Sequence, residues 1–164
     1  MEFLEQIIPF LPVIATSIIS VTGLWISFTF QKFNKGLAND KLNKELFTEL
    51  NARYDKLNDS LVIIETYYKH TNQFKELSVE DRGMHQKLKQ DVIDFFNLCA
   101  EEYYWHKKRR IDPKVWEAWY SGMNYWVNEV ETIRELWIKE LETNGRTSYY
   151  LGINDDFFAL RHSS

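Results

Sequence analysis

The sequence predicts an all-α protein: an N-terminal transmembrane helix followed by a cytoplasmic antiparallel bundle of three long helices plus a short C-terminal helix. Three observations carry this. Residues 7–30, IIPFLPVIATSIISVTGLWISFTF, make a 24-residue run without a charged side chain. Beyond it, apolar residues recur at steps of three, four and seven, the periods of a helix surface. Only 6 glycines and 3 prolines punctuate the 164 residues, and alternating apolar and polar runs are scarce, which leaves little from which to build sheets.

The apolar run is long enough for a span. At 1.5 Å per residue, a helix beginning at Pro9 or Pro12 covers about 30 Å, the hydrocarbon thickness of a bilayer. Both prolines then sit in the first turn, where N–H groups lack an intrahelical acceptor in any case. Residues 1–6 form a short N-terminal leader containing Glu2 and Glu5 but no lysine or arginine, and the apolar run exceeds that of a cleaved signal peptide, so a retained anchor is expected. Lys32, Lys35, Lys41 and Lys44 follow the run, and the positive-inside rule therefore puts the N-terminus outside and the rest of the chain in the cytoplasm, at the inner membrane. Thr16, Ser20, Gly23 and Ser27 fall at steps of four, three and four and share one helical face. Small residues let helices approach closely in lipid, which makes this a candidate helix-association face. The alternative is that the hydroxyls bond back to carbonyls of their own helix.

Residues 31–38 turn polar around Gly36 and read as a juxtamembrane joint, leaving 39–164 as one helical domain. Its first helix is expected from about Asn39 to Lys69. Phe47, Tyr54, Leu61 and Tyr68 are spaced by seven, and Leu50, Leu57 and Ile64 form a second such series offset by three. That seam is expected to pack inside the domain, the alternative being the same seam in a second copy. His70 to Leu77 reads as a connector. Ser78-Val79-Glu80-Asp81 has the form of an N-cap and opens a second helix reaching about Arg110, with Leu88, Val92, Phe95, Phe96, Cys99 and Tyr103 on its buried face. Asp112-Pro113 starts a third helix, whose broad aromatic face runs from Val115 through Trp137 to Leu141 and ends at Asn144-Gly145. In the tail, Asn154 to Leu160 reads as a short capped amphipathic element that docks back onto the bundle.

A net charge of −4 argues against a nucleic-acid partner, which calls for a strongly basic face. One patch goes the other way: Tyr103-Tyr104-Trp105-His106 leads into Lys107, Lys108, Arg109 and Arg110. Cations at a helix C-terminus offset its dipole. The same four could contact anionic lipid headgroups, worth about 1 kcal/mol per basic residue near the surface. Glu102 and His106 stand four apart, but the paired Glu-x-x-His repeats of a di-iron bundle are missing, so the pair reads as a surface hydrogen bond and no metal is expected. Cys99 is the single cysteine, lies on an apolar face, and reads as a small core residue in a reducing compartment. There is no His-Glu-x-x-His, Gly-rich phosphate loop or Gly-x-Ser-x-Gly elbow, and the Arg82/His85 and Arg161/His162 spacings do not match helical ribonuclease toxins. No catalytic residue and no cofactor is therefore expected.

The order of span and polar helix, then Val92-Ile93-Asp94-Phe95-Phe96-Asn97-Leu98 leading to Ile111-Asp112-Pro113-Lys114-Val115-Trp116 and Trp119, resembles a group of uncharacterised bacterial membrane-anchored helical proteins. The resemblance covers about the middle third of the chain and implies a bacterial inner-membrane protein; it brings no catalytic residues. The expected role is noncatalytic: an adaptor, sensor or regulatory component acting through protein–protein contacts at the inner membrane surface. Trp105, Trp116, Trp119, Tyr120 and Trp126 are the candidates for that surface, as aromatics one small bundle cannot wholly bury. A second reading is a self-assembling membrane effector, a toxin or phage-defence component that forms a homo-oligomer and disturbs the bilayer. An enzyme with a nonstandard helical site is the third.

Overall fold

The computed structural model describes residues 10–75, 81–143 and 145–160. It is all helical, 85% helix, and no strand occurs among the described residues. The helices are α1 (Leu11–Tyr67), α2 (Thr71–Lys75), α3 (Arg82–Lys107), α4 (Pro113–Glu129), α5 (Glu131–Glu142) and α6 (Gly145–Ser148). The chain divides into two compact units, one up to Leu42 and one from Asn43 onward.

In the first unit, α1 is long and apolar enough to cross a membrane, and the most apolar part of it has no buried residue. Ile19 and Leu24 are each 72% exposed. Residues 31–38, set apart by composition as a joint, are helical and continue α1 without interruption. Polarity alone does not stop a helix: lysine is a good helix former, and Gly36, which is not in a positive-φ conformation, weakens the helix by about 1 kcal/mol without ending it.

The second unit has its own core. Leu50, Leu61 and Ile64 of α1 are buried, and Tyr54, Leu57 and Tyr68 pack against the same cluster, so the seven-residue seam is occupied within the chain. Phe47 is the member of the seam left nearly half exposed. Val92, Phe95, Phe96 and Cys99 face the core from α3, as their three-and-four spacing requires. The signature at Ser78 lies outside the described residues. Trp137 of α5 sits at the centre, fully buried, with the rings of Phe96, Tyr149, Phe157 and Phe158 at 4.9 to 5.1 Å. Ring pairs of this kind contribute about 0.5–1.5 kcal/mol each beyond their buried area.

The expected third helix is two helices. Val130 is extended, with φ −116° and ψ 101°, and divides α4 from α5. Val127, Val130, Thr132 and Ile133 are β-branched, and such side chains fit a helix poorly because of their restricted χ1. The break also serves the end of α1. The Thr132 hydroxyl donates to the Tyr68 carbonyl at 2.6 Å and its N–H to the Lys69 carbonyl at 3.3 Å, satisfying acceptors that the helix end leaves open.

The tail differs from expectation in form. Residues 151–160 are irregular, and the only helix in the described tail is the four-residue α6. Yet Tyr149, Leu151, Phe157 and Phe158 are buried in the core. The tail's backbone is held by side chains instead of by a helix ladder: Asn124 Oδ1 accepts from the Ala159 N–H at 2.6 Å, Asn128 Nδ2 donates to the Ala159 carbonyl at 3.1 Å, and Arg146 donates to the Asp155 carbonyl at 2.9 Å.

Candidate functional site: an aromatic face and a buried carboxylate

The aromatic candidates separate into surface and core. Trp116, Trp119 and Tyr120 lie at i, i+3 and i+4 on α4, which brings them to one side of that helix. Trp116 stacks on His106 with ring centroids 4.2 Å apart and lies 5.5 Å from Tyr120. Trp119 stacks on Phe47 of α1 at 6.0 Å and 13°. Trp116 and Trp119 are half-buried, while Phe47 and Tyr120 are exposed, so this part of the unit offers rings that its own core does not cover. Trp105 is half-buried against Tyr104 of α3. Trp126 is core: it is 6% exposed and its indole N–H donates to the Tyr54 hydroxyl at 3.0 Å. It leaves the list of surface candidates because its position on α4 faces inward with Met123 and Val127.

The basic run closes α3. The Arg110 N–H reaches the Trp105 carbonyl at 3.0 Å and the Arg109 N–H the His106 carbonyl at 2.8 Å, with Arg109 left-handed at φ 55°, which is a Schellman cap with arginine in the position glycine usually takes. Lys107 is committed to the tail: its ammonium meets Asp155 at 2.7 Å and lies over the Tyr103 ring, while Tyr103 also donates to Asp155. The hydrogen bond from Lys107 holds the Asp155 carboxyl below its usual range, and the same contact raises the Lys107 ammonium. Lys108 lies 5.4 Å over Tyr104. The run thus ends a helix and ties down the tail, and Lys108 and Arg109 stay exposed.

On the apolar part of α1, the Thr16 hydroxyl donates to the Pro12 carbonyl at 2.7 Å and Ser20 to Thr16 at 2.8 Å. Their polar groups are satisfied inside the helix, and a Cβ at Gly23 would meet nothing within 4 Å. Ser27 is exposed on the same helix.

A second constellation escaped the sequence reading. Arg53 of α1 makes both arms of a bidentate pair with Glu101 of α3, at 2.6 and 2.9 Å. Beside it, Glu102 is 5% exposed and makes no hydrogen bond with any described residue. Glu102 is therefore no surface partner of His106, whose ring is stacked on Trp116 and whose pKa is lowered by burial. Burial raises the Glu102 carboxyl from 4.5 to about 8; the Arg53 guanidinium opposes that rise and the Glu101 carboxylate adds to it. The signal was present in the spacing. Leu98 and Glu102 are four apart, so Glu102 stands on the apolar stripe of α3. Cys99, one turn below, is wholly buried, and burial pushes its thiol well above the usual range, which makes it inert.

No family model, curated protein or solved structure matches the chain. The resemblance therefore rests on the order of span and polar helix and on residues 92–98 and 111–119.

Proposed function

We propose that the protein is a membrane-anchored adaptor, sensor or regulatory component: residues 7–30 span the inner membrane with the N-terminus outside, and the helical domain presents a protein-contact surface on the cytoplasmic side. The observation that carries this reading is the contrast between the two units. One exposes a long apolar helix with no protein around it, and the other buries its own core yet leaves Phe47 and Tyr120 exposed beside the half-buried Trp116 and Trp119. Rings of this type dominate the energetics of protein contacts because they carry large area at small entropic cost. Lys108 and Arg109 add exposed positive charge suited to anionic headgroups.

The self-assembling effector remains the alternative, but both features behind it find uses within the chain. The heptad seam is filled by the domain's own residues, and the hydroxyls of Thr16 and Ser20 are bonded to their own helix. The test is in-cell photo-crosslinking with a photoreactive residue at position 120 of the tagged full-length chain. A crosslink to one heterologous protein, lost on Trp119→Ala while the protein stays folded, supports the adaptor. Crosslinks to copies of itself alone, dependent on residues 7–30, together with collapse of the membrane potential on induction, would establish the effector instead.

A further inference from the structure

A cavity of about 240 Å³ lies between α1, α3 and α4 of the second unit. Tyr54, Phe95, Leu98, Trp119 and Met123 form most of its wall, and Glu102 lines it as well. Gly122 borders it from α4, and a Cβ there would meet nothing within 4 Å. The cavity thus combines aromatic and aliphatic walls with the Asn51 amide and the carboxyl of Glu102, a residue that is 5% exposed and makes no hydrogen bond through its side chain among the described residues.

The charges nearby are unbalanced. From α1 come the Arg53 guanidinium and the Tyr54 hydroxyl; from α3 come the Glu101 carboxylate and the buried Cys99 thiol; α4 lines the cavity with Ala118, Trp119, Gly122 and Met123, none of them charged. Both arms of Arg53 are occupied by Glu101, so an ionised Glu102 leaves the group one positive charge short. A buried carboxylate without a counter-ion is costly, and aromatic walls favour a weakly hydrated cation over a strongly hydrated one.

We propose that this cavity binds a small organic ammonium ion from solution, an alkylammonium or a quaternary ammonium, with the Glu102 carboxylate as its counter-ion and the Tyr54, Phe95 and Trp119 rings as its apolar surround. The site shares Trp119 with the outer aromatic face but needs neither the anchor nor a protein partner, and it stands whether or not the domain is an adaptor. Binding requires the ionised carboxylate, so it expels the Glu102 proton. Affinity then rises with pH roughly tenfold per unit below about 8 and levels off above it.

The test is calorimetric titration of the purified full-length chain, in a nonionic detergent that itself carries no ammonium group. The probes are n-butylammonium and tetramethylammonium, with n-butanol as the neutral match. The account expects saturable binding of an ammonium, tightening about tenfold per pH unit below about 8, weaker by at least about tenfold for butanol, and lost in Glu102→Gln. Gly122→Leu, which fills the cavity from α4 with a residue that favours helix, should abolish it too. Absence of saturable ammonium binding, equal binding of butanol, or binding unchanged in Glu102→Gln would overturn the proposal.

Discussion

Glu102 is the residue where the fold works against itself. Its carboxyl is carried into the interior by the stripe that also buries Leu98 and Cys99, and burial raises it from 4.5 to about 8. Between those values the folded chain holds a proton that the unfolded chain has lost, so this group lowers stability as pH rises through that window, and the loss is complete above 8. The size of the effect by neutral pH is on the order of 3 kcal/mol. Glu102→Gln should therefore raise the unfolding midpoint at pH near 8 and flatten the pH dependence of denaturant unfolding; an unchanged profile would place the carboxyl in water. Gly145 illustrates a close approach. A Cβ there would lie 2.2 Å from the Glu140 carbonyl oxygen, so Gly145→Ala should cost about 1–3 kcal/mol in the same measurement. Sequence spacing alone was enough to put Glu102 on the buried stripe, yet its distance of four from His106 suggested a surface pair. What decides between them is the approach of Arg53 and Tyr54, about fifty positions away, which no local pattern reports.

At the scale of elements, composition marks the apolar stretch of α1 and the absence of strands among the described residues, and periodicity marks which helix faces meet the core. The seam from Leu50 to Tyr68 and the stripe from Leu88 to Tyr103 are where helical spacing puts them, because burying an apolar face is what stabilises a helix in a protein. The change to polar residues at 31–38 leaves the helix unbroken, since polar residues such as lysine are good helix formers. The break at Val130 was hidden because the apolar rhythm of α4 continues into α5; the cluster of β-branched residues was its only local sign. The aromatics of the tail mark it as part of the core, but residues 151–160 are irregular where a short helix is expected, because their order comes from Asn124 and Asn128 of α4, Lys107 of α3 and Arg146 of α6. The tail's contribution to stability should be large. Phe157 is fully buried among Trp137, Phe158 and Tyr103, and Phe157→Ala should cost about 3–5 kcal/mol in urea unfolding followed by tryptophan fluorescence. A change within about 1 kcal/mol would show that the tail is not part of the core.

Over the whole molecule, labour is divided between a helix whose apolar stretch has nothing around it and a unit with a core of its own. Most of the apolar area in the first unit faces outward on every side of α1, which is unstable in water and natural in lipid. The lysines that follow set the expected orientation, with a C-terminal tag shielded from protease added to intact cells. The measurement that tests the central claim most directly is alkaline carbonate extraction of membranes from cells making the full-length chain. The account predicts that the protein stays in the membrane pellet and is released only by detergent. Recovery in the carbonate supernatant would contradict it, because the apolar stretch of α1 would then be covered by protein and the chain would have no anchor.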